Sequence, residues 1–111
     1  MEQVTTKDVM EMFDLKLVSG QEGIGRHIAV SDISRPGLEM AGYFTHYPAN
    51  RVQLLGKTEL SFFDMLLPHE RIERMKKLCS PETPAIIISH DMNVPEELKI
   101  ASNEEHVPVL T

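Results

Sequence analysis

A short run of β-branched residues constrains the fold of this 111-residue chain more than any other feature. Residues 85–89 read Ala-Ile-Ile-Ile-Ser, with no alternation between apolar and polar positions. An apolar strand without alternation is buried on both faces, which is typical of parallel sheets covered by helices. The run therefore predicts a central strand in an α/β structure.

Extended and helical patterns alternate around this run, and glycine and proline mark where they change. The order β-α-α-β-α-β predicts parallel pairing with right-handed crossovers. Pro108 restricts the last strand to a sheet edge or to a strand start. The predicted elements are strands over 51–55, 85–89 and 107–110, a helix that Thr58 caps and that carries apolar residues to Leu66, and helices over 69–79 and 95–105.

The predicted helix over 69–79 has two distinct faces. Apolar residues recur along one face, while Arg71, Arg74 and Lys77 follow one another at three-residue spacing on another. This spacing predicts a solvated basic stripe. Cys79 is the one cysteine of the chain and ends the apolar periodicity, so we expect a small buried hydrophobic residue rather than a reactive thiol.

The first fifty residues show weaker patterns. Thr5 and Asp8 have the spacing of a capping box, which predicts a short helix to about Phe13. The fold class that we predict is α/β, with a small mixed, partly parallel sheet flanked by helices in a single domain over 1–111. The other predicted elements of this half are strands over 15–18 and 27–33, a loop over 21–25 and a helical turn over 38–41 after Pro36-Gly37.

Charge and hydropathy argue against two classes of partner. A formal net charge of −6 at pH 7 disfavours sequence-independent binding of nucleic acid, which requires a basic surface. The longest apolar stretch, 85–88, is far shorter than the roughly 20 residues of a membrane helix, and the acidic start is unlike a signal peptide. We expect a cytoplasmic protein with neither a nucleic-acid nor a membrane partner.

Gly56-Lys57-Thr58 matches the end of a phosphate-binding P-loop, in which backbone amides and a lysine hold phosphates. The full motif needs a glycine five positions before Gly56, and the chain has Arg51 there. The intervening residues are a predicted strand rather than a flexible loop. We therefore interpret Thr58 as a helix cap, with ATP binding through Lys57 as the weaker alternative.

Other catalytic and metal-binding patterns are incomplete. His69-Glu70 begins like the helix of a zinc protease, but Glu73 stands where the second histidine ligand belongs. The Gly-Ile-Gly sequence at 23–25 is too short for a dinucleotide fingerprint, and no serine lies in a nucleophile elbow. We predict no catalytic residue, metal ligand or cofactor in this chain.

Ser34-Arg35-Pro36-Gly37 is the remaining candidate site. A hydroxyl and a guanidinium stand beside a turn whose amides, including that of Gly37, could help them to bind an anion. The alternative interpretation is a turn that ends the strand, with Arg35 in a local ion pair. The sequence leaves both interpretations open.

Long stretches of the chain resemble the N-terminal domain of the HPr kinase/phosphorylase family. They are residues 31–44 (SDISRPGLEMAGYF) and 47–62 (YPANRVQLLGKTELSF), and the similarity continues through 83–88, 95–98 and 107–110. The resemblance covers essentially the whole chain.

The resemblance implies a parent protein with an activity of its own. Members of this family are homo-hexameric, magnesium-dependent enzymes that phosphorylate a serine of the phosphocarrier HPr with ATP or pyrophosphate and reverse the reaction by phosphorolysis, in carbon catabolite repression. Their P-loop, with its ATP and Mg²⁺, belongs to a C-terminal domain beyond Thr111, so no catalytic residue is expected here. The resemblance implies a non-catalytic regulatory or assembly domain, with HPr and other subunits as partners.

The N-terminal domain of that family is in turn similar to the uridine-nucleotide-binding domain of MurF-type cell-wall ligases. In those ligases a Ser-Arg element near a Pro-Gly turn helps to form the ligand site, and Ser34, Arg35 and Gly37 are similar. A shared fold does not transfer function. The alternative function is therefore the binding of a small phosphorylated or nucleotide-like effector at these residues.

Overall fold

A five-stranded sheet forms the centre of the structure, and a separate two-stranded sheet accompanies it. The computed structural model describes residues 4–30, 32–89 and 92–111. Within these ranges the strands are β1 Val4–Thr5, β2 Leu17–Ser19, β3 His27–Ile28, β4 Ile33–Ser34, β5 Val52–Leu55, β6 Ile86–Ile88 and β7 Val109–Leu110.

The first helix begins at the predicted capping box. The Thr5 hydroxyl accepts a hydrogen bond from the Asp8 amide at 3.2 Å, and the Asp8 carboxylate accepts one from the Thr5 amide at 2.9 Å. No helix within the described ranges is both long enough and apolar enough to cross a membrane. The helices are α1 Thr6–Met12, α2 Gly37–Met40, α3 Lys57–Asp64, α4 Pro68–Leu78 and α5 Glu96–Glu105, with a 3₁₀ turn at Gln21–Gly23.

The five strands lie in the order β2-β7-β6-β5-β4. The strands from β4 to β7 pair in parallel, and β2 pairs antiparallel with β7. The predicted mixed, partly parallel sheet flanked by helices is confirmed. The run of three isoleucines lies between two parallel neighbours, as its lack of alternation predicts. Pro108 directly precedes β7, so the proline stands at a strand start rather than at a sheet edge.

The parallel strands follow one another across the sheet without changing direction. Right-handed crossovers that always step the same way place every connecting helix on the same side of a sheet. Side chains from α2 to α5 accordingly form one core with one face of the sheet, which we call the helical face. The other, called here the open face, carries a smaller core of Val52, Ala85 and Leu110, against which Met10, Leu15, Leu17, Ile28 and Ile87 pack.

The prediction of one strand over 27–33 is wrong. The segment contains two short strands in different sheets, since β3 pairs antiparallel with β1 and β4 pairs in parallel with β5. The chain therefore leaves the small sheet after Ile28 and enters the large sheet at Ile33. Ala29 and Val30 extend the apolar pattern beyond β3, and no glycine or proline lies between the two strands to mark a break.

Thr58 does not cap α3, contrary to the prediction. The extended backbone reaches Gly56, which is the residue before the helix, so Thr58 is the second helical residue and is exposed. The Gly56 amide donates instead to the carboxylate of Glu59 at 2.7 Å. A capping box has two bonds, one to a side-chain hydroxyl before the helix and one to a carboxylate three residues later. Here only the second is formed, by Glu59, because Gly56 has no side chain.

The predicted solvated basic stripe on α4 is only partly correct. The Arg74 side chain is 11% exposed, and its Nε donates to the Met40 carbonyl at the end of α2 at 3.2 Å. Lys77 is more exposed and lies 5.4 Å from the centre of the Phe44 ring. Arg74 therefore joins two helices because its guanidinium satisfies a terminal helix carbonyl.

Candidate functional site

The predicted ligand residues lie at the edge where the parallel strands β4, β5 and β6 end. The residues that follow these strands are close together: a Cβ on Gly56 would be 2.7 Å from Arg35 Nη2 and 3.4 Å from Ser89 Oγ. A side chain at position 56 would therefore displace the Arg35 guanidinium, which is the end of a flexible side chain. The φ of Gly56 is −112°, an angle that any residue can adopt.

A carboxylate from the chain itself occupies this edge. Glu59 Oε1 accepts from the Gly56 amide at 2.7 Å and from Arg35 Nη2 at 3.0 Å. The Glu59 side chain is 8% exposed, whereas Arg35 is 55% exposed. A helix N-terminus and a guanidinium together favour an anion, and in this structure Glu59 provides it.

The charge state of Glu59 reflects these contacts. Burial by itself raises the pKa of this carboxyl, because it disfavours the charged form. The hydrogen bonds from Gly56 and Arg35 act in the opposite direction and hold the pKa of Glu59 below its ordinary value. Glu59 is therefore ionised at neutral pH and forms a true ion pair with Arg35.

Ser34 and Gly37 lie beside Arg35 without sharing its contact. Ser34 is half-buried and pairs in register with Gln53, so both side chains point toward the helical face. The Gly37 amide donates to the Arg35 carbonyl at 2.8 Å, which closes a tight turn. Arg35 forms the ion pair of the alternative interpretation, with a partner 24 residues away. Ligand binding by Ser34, Arg35 and Gly37 stays a prediction.

Gly56-Lys57-Thr58 does not have the geometry of a phosphate loop. The four residues before it form β5, and the Gly56 amide is bound to Glu59. Lys57 and Thr58 are exposed on the first turn of α3. In residues 4–30, 32–89 and 92–111, no cluster of three or more His, Cys, Asp or Glu residues could hold a metal ion. Cys79 is buried, and burial raises the pKa of its thiol to about 12.

Two smaller clefts each contain a close contact between a nitrogen-bearing side chain and a carboxylate. One has a volume of about 310 Å³ and contains the pair Arg71 Nε–Glu97 Oε2 at 3.1 Å. The other has a volume of about 330 Å³ and contains the pair His106 Nδ1–Glu22 Oε2 at 3.0 Å. Each pair links separate chain segments, so its evident role is structural.

A larger groove of about 620 Å³ lies on the open face, and among the residues that the structure describes, all those that line it are apolar. Its floor is the five-stranded sheet, and its walls come from α1 and from the segment that contains β3. Phe13 is 66% exposed and Ile33 is 58% exposed. The lining residues are Val4, Val9, Phe13, Leu15, Ile28, Ala29, Val30, Ile33, Val52 and Ile87.

A second exposed apolar surface lies on the helical side, between α2 and the loop that follows it. Leu38 is 67% exposed and Tyr43 is 47% exposed, and the Tyr43 amide donates to the Leu38 carbonyl at 3.0 Å. Met65 at the end of α3 is also exposed. Exposed apolar residues in this segment are the feature that an assembly role predicts.

Sequence reasoning missed the groove. Its residues come from 4–15, from 28–33 and from the strands β5 and β6, so no local sequence pattern connects them. One available signal was the predicted order of strands and helices. Consecutive right-handed crossovers place helices on a single face, which implies a second face with less cover.

Comparison with known proteins gives one consistent family. A model of the family described as "HPr Serine kinase N terminus" matches residues 4–111. An HPr kinase/phosphorylase of Bacillus pumilus (strain SAFR-032) is 66% identical over 110 residues, and that of Bacillus subtilis (strain 168) is 62% identical over 110 residues. Each match covers 99% of this chain and 36% of the relative, so the chain spans about a third of these relatives' length.

Proposed function

This chain belongs to the family of HPr serine kinase N-terminal domains, and from that membership we propose that it is a non-catalytic regulatory or assembly domain of an HPr kinase/phosphorylase. The catalytic P-loop domain, with ATP or pyrophosphate and Mg²⁺, would lie in the part of the longer protein outside the matched 36%. The longer protein would phosphorylate and dephosphorylate a serine of HPr. This domain would help to position HPr or the other subunits of a homo-hexamer around it.

The observation that carries this proposal is the mismatch of coverage: 99% of this chain aligns with 36% of each relative. The site geometry supports it. The one P-loop-like triad begins at Gly56, whose amide is bound to Glu59. Removing phosphate-binding amides from a site removes the electrostatic stabilisation on which phosphoryl transfer depends.

Two exposed apolar surfaces support the assembly role. One is the groove on the open face, and the other contains Leu38 and Tyr43. Exposed apolar patches rimmed by polar residues mark interaction sites in soluble proteins. A domain that contributes positioning rather than chemistry needs such surfaces.

The absence of catalysis is tested on the chain itself. We would incubate it with HPr, ATP and Mg²⁺ and follow phosphoserine by mass spectrometry, with Lys57→Ala as the matched variant. We expect no phosphorylated HPr from either protein. Phosphorylation by the wild type that disappears in a folded Lys57→Ala variant would overturn the proposal, because Lys57 would then act as a P-loop lysine.

The assembly role is tested in a full-length relative. The matched region of the Bacillus subtilis protein would be deleted in one version and replaced by this chain in another. We expect the replacement to restore the wild-type number of subunits per particle, obtained from the particle mass by sedimentation equilibrium, and the wild-type KM for HPr, and we expect the deletion to change at least one of them. A deletion that leaves both the subunit number and the KM for HPr unchanged would contradict the assembly role.

Effector binding at Ser34, Arg35 and Gly37 is the alternative function, and the exposure of Arg35 favours it. More than half of this side chain faces solvent beside the ion pair with Glu59. We would titrate uridine diphosphate and glucose 6-phosphate by calorimetry into the wild type, Arg35→Ala and Ser34→Ala. Arg51→Ala is the matched control, because it removes the same charge from the opposite end of the strands. Heat that is the same in all four proteins would end this alternative.

A further inference from the structure

The apolar groove on the open face begins where the last strand leaves the sheet. Leu110 pairs in register with Ile87, which lines the groove. The next residue, Thr111, exchanges two backbone hydrogen bonds with Lys16, at 2.7 Å and 2.9 Å. Leu15, which also lines the groove, directly precedes Lys16. A segment that follows Thr111 in a longer chain therefore starts at one end of the groove.

In the proposed function, this chain is the first part of a longer protein. It matches 36% of each relative, and the matched family is described as the N terminus of the enzyme. The greater part of the longer protein would then come after Thr111. The inference drawn here rests on that proposed function, because its subject is the segment that comes next.

The order of strands prevents this segment from repeating the pattern of the earlier ones. Each crossover from β4 to β7 steps to the neighbouring strand, and the helices between them pack on the helical face. One more step would place a strand beside β7, but β2 already pairs there. The open face lies directly next to the end of β7. Among the described residues, only α1 and the two-stranded sheet lie over it.

The length of the groove suits a helix. Ile33 of β4 and Val52 of β5 line its far end, so the groove crosses the sheet from β7 toward β4. Three strand intervals separate these two strands, which is a distance of about 14 Å. An α-helix covers that distance in about ten residues. An extended segment laid over the face of a sheet would bury unpaired backbone amides, whereas a helix satisfies its own.

We propose that the segment after Thr111 in the longer protein turns over the open face and packs in the groove as an amphipathic α-helix, with its apolar side toward Val52 and Ile87. The helix would cover part of Phe13 and Ile33, which are 66% and 58% exposed. Because it is joined to the sheet at Thr111, its effective concentration at the groove is far above that of a separate partner. The docked helix would fix where the remainder of the protein begins relative to this domain.

The test compares the isolated chain with the full-length Bacillus subtilis protein in which this chain replaces the matched region, which we call the hybrid. Phe13→Cys and Ile33→Cys each place a thiol at the groove, and peptide mass spectrometry follows its modification by a maleimide. The native Cys79 is buried and its thiol pKa is raised, so it reacts slowly. We expect both introduced thiols to react at least about tenfold more slowly in the hybrid, because a covered groove opens only in a minor population. Both replaced side chains are mostly exposed, so both variants should fold, and circular dichroism would verify it.

Protease sites in the hybrid separate the following segment from the rest of the protein. One site would lie about twenty residues after Thr111, so that a helix of about ten residues and its connections stay attached. After cleavage there and removal of the remainder, slow modification should persist. Cleavage at a second site directly after Thr111 should restore the rate of the isolated chain. Met65→Cys is the matched control, since Met65 is 82% exposed and lies outside the groove, and in the cleaved proteins its rate should equal that in the isolated chain.

Four results would each contradict the proposal. Equal rates at the groove in the isolated chain and the hybrid would mean that the groove is not covered. Protection that is lost after cleavage at the distant site would assign the groove to another domain or subunit. Slower modification of the isolated chain at higher concentration would assign it to a second copy, and equal slowing at Met65 would mean a general loss of reactivity. The assembly role is tested separately, through the subunit number and the KM for HPr, so the failure of one can be told from the failure of the other.

Discussion

The two faces of the five-stranded sheet differ in how completely this chain covers them. On the helical face, α2 to α5 enclose thirteen buried residues in one core. On the open face, three buried residues and their half-buried neighbours lie next to a groove of about 620 Å³. The contrast follows from topology, because crossovers of one hand and one direction cannot place helices on both sides. One face is thus covered within the chain, and the other keeps exposed apolar surface.

The largest expected difference between the faces is in their response to truncation of a side chain. Leu98 of α5 is fully buried on the helical face. Leu98→Ala should lower the free energy of unfolding by about 2–5 kcal/mol, because it removes apolar contacts and leaves a cavity. Urea denaturation at pH 7 would measure this change. Ile100→Ala on the same helix is the matched control, since Ile100 is half exposed, and it should cost much less. Equal losses would show that the helical face is not the tight core described above.

Arg26 connects the segment around the open face to the helical half. Its guanidinium donates to the carbonyls of Thr83 at 2.7 Å, Glu105 at 2.8 Å and Pro81 at 2.9 Å. Arg26→Met should lower the free energy of unfolding by about 2 kcal/mol, since charged hydrogen bonds are lost and the carbonyl of the buried Thr83 loses its donor. Hydrogen exchange should show the loss first in β1 and β3.

The control for Arg26 is Arg51→Met. Arg51 lies 3.9 Å from Asp32 in an exposed pair, which contributes little to stability. A similar loss in both variants would mean that the carbonyl contacts of Arg26 are not what joins the two regions. Uniform acceleration of exchange over the whole chain would mean that the open face does not unfold separately.

The second half of the fold could be predicted because its signals are local. The isoleucine run, the glycine and proline boundaries and the helical periodicity lie within single elements, and β5 to β7 follow them closely. Features that depend on distant residues could not be predicted. Arg35 meets Glu59 across 24 positions, and that contact, with the Gly56 amide, makes Glu59 rather than Thr58 the residue that satisfies the start of α3.

The groove illustrates the same limit on the open face. In the sequence, Phe13 is the last apolar residue of a predicted helix, which suggests a buried side chain. In the structure no other element packs over it among the described residues, so it is 66% exposed. The sequence alone places Ser34, Arg35 and Gly37 at the end of one strand. It does not predict the contact between Arg35 and Glu59, because that contact requires β4 and β5 to be neighbours in the sheet.

Glu59→Gln changes a residue at the edge of the helical face. It should lower the free energy of unfolding less than Leu98→Ala or Arg26→Met does. The loss of the charge-assisted bonds to Arg35 and Gly56 should lower the free energy of unfolding by about 1 kcal/mol at pH 7. The pKa of Glu59 is lower in the folded chain than in the unfolded one, so this stabilisation is complete above about pH 4.3. It disappears as the pH falls through the lowered pKa of the folded state.

The measurement is urea denaturation of wild type and Glu59→Gln between pH 7 and pH 3. The difference between them should shrink as the pH falls. Glu96→Gln, which changes a carboxylate that is 75% exposed, should show almost no difference at any pH. A Glu59→Gln difference that stays constant down to pH 3 would mean that packing, and not the ion pair, gives this residue its effect.

The smallest expected effect is that of Phe13→Ser, on the open face. The side chain is 66% exposed, so removing its ring should change the free energy of unfolding by no more than about 0.5 kcal/mol. Leu110→Ala is the matched variant on the same face, and because Leu110 is fully buried it should cost about 2 kcal/mol or more. Such a pair of results would place the limit of this chain's own core between Leu110 and Phe13. A loss in Phe13→Ser as large as that in Leu110→Ala would mean that the ring is part of the folded core. The open face would then be stabilised by this chain as far out as Phe13, and the contrast between the two faces would not extend to stability.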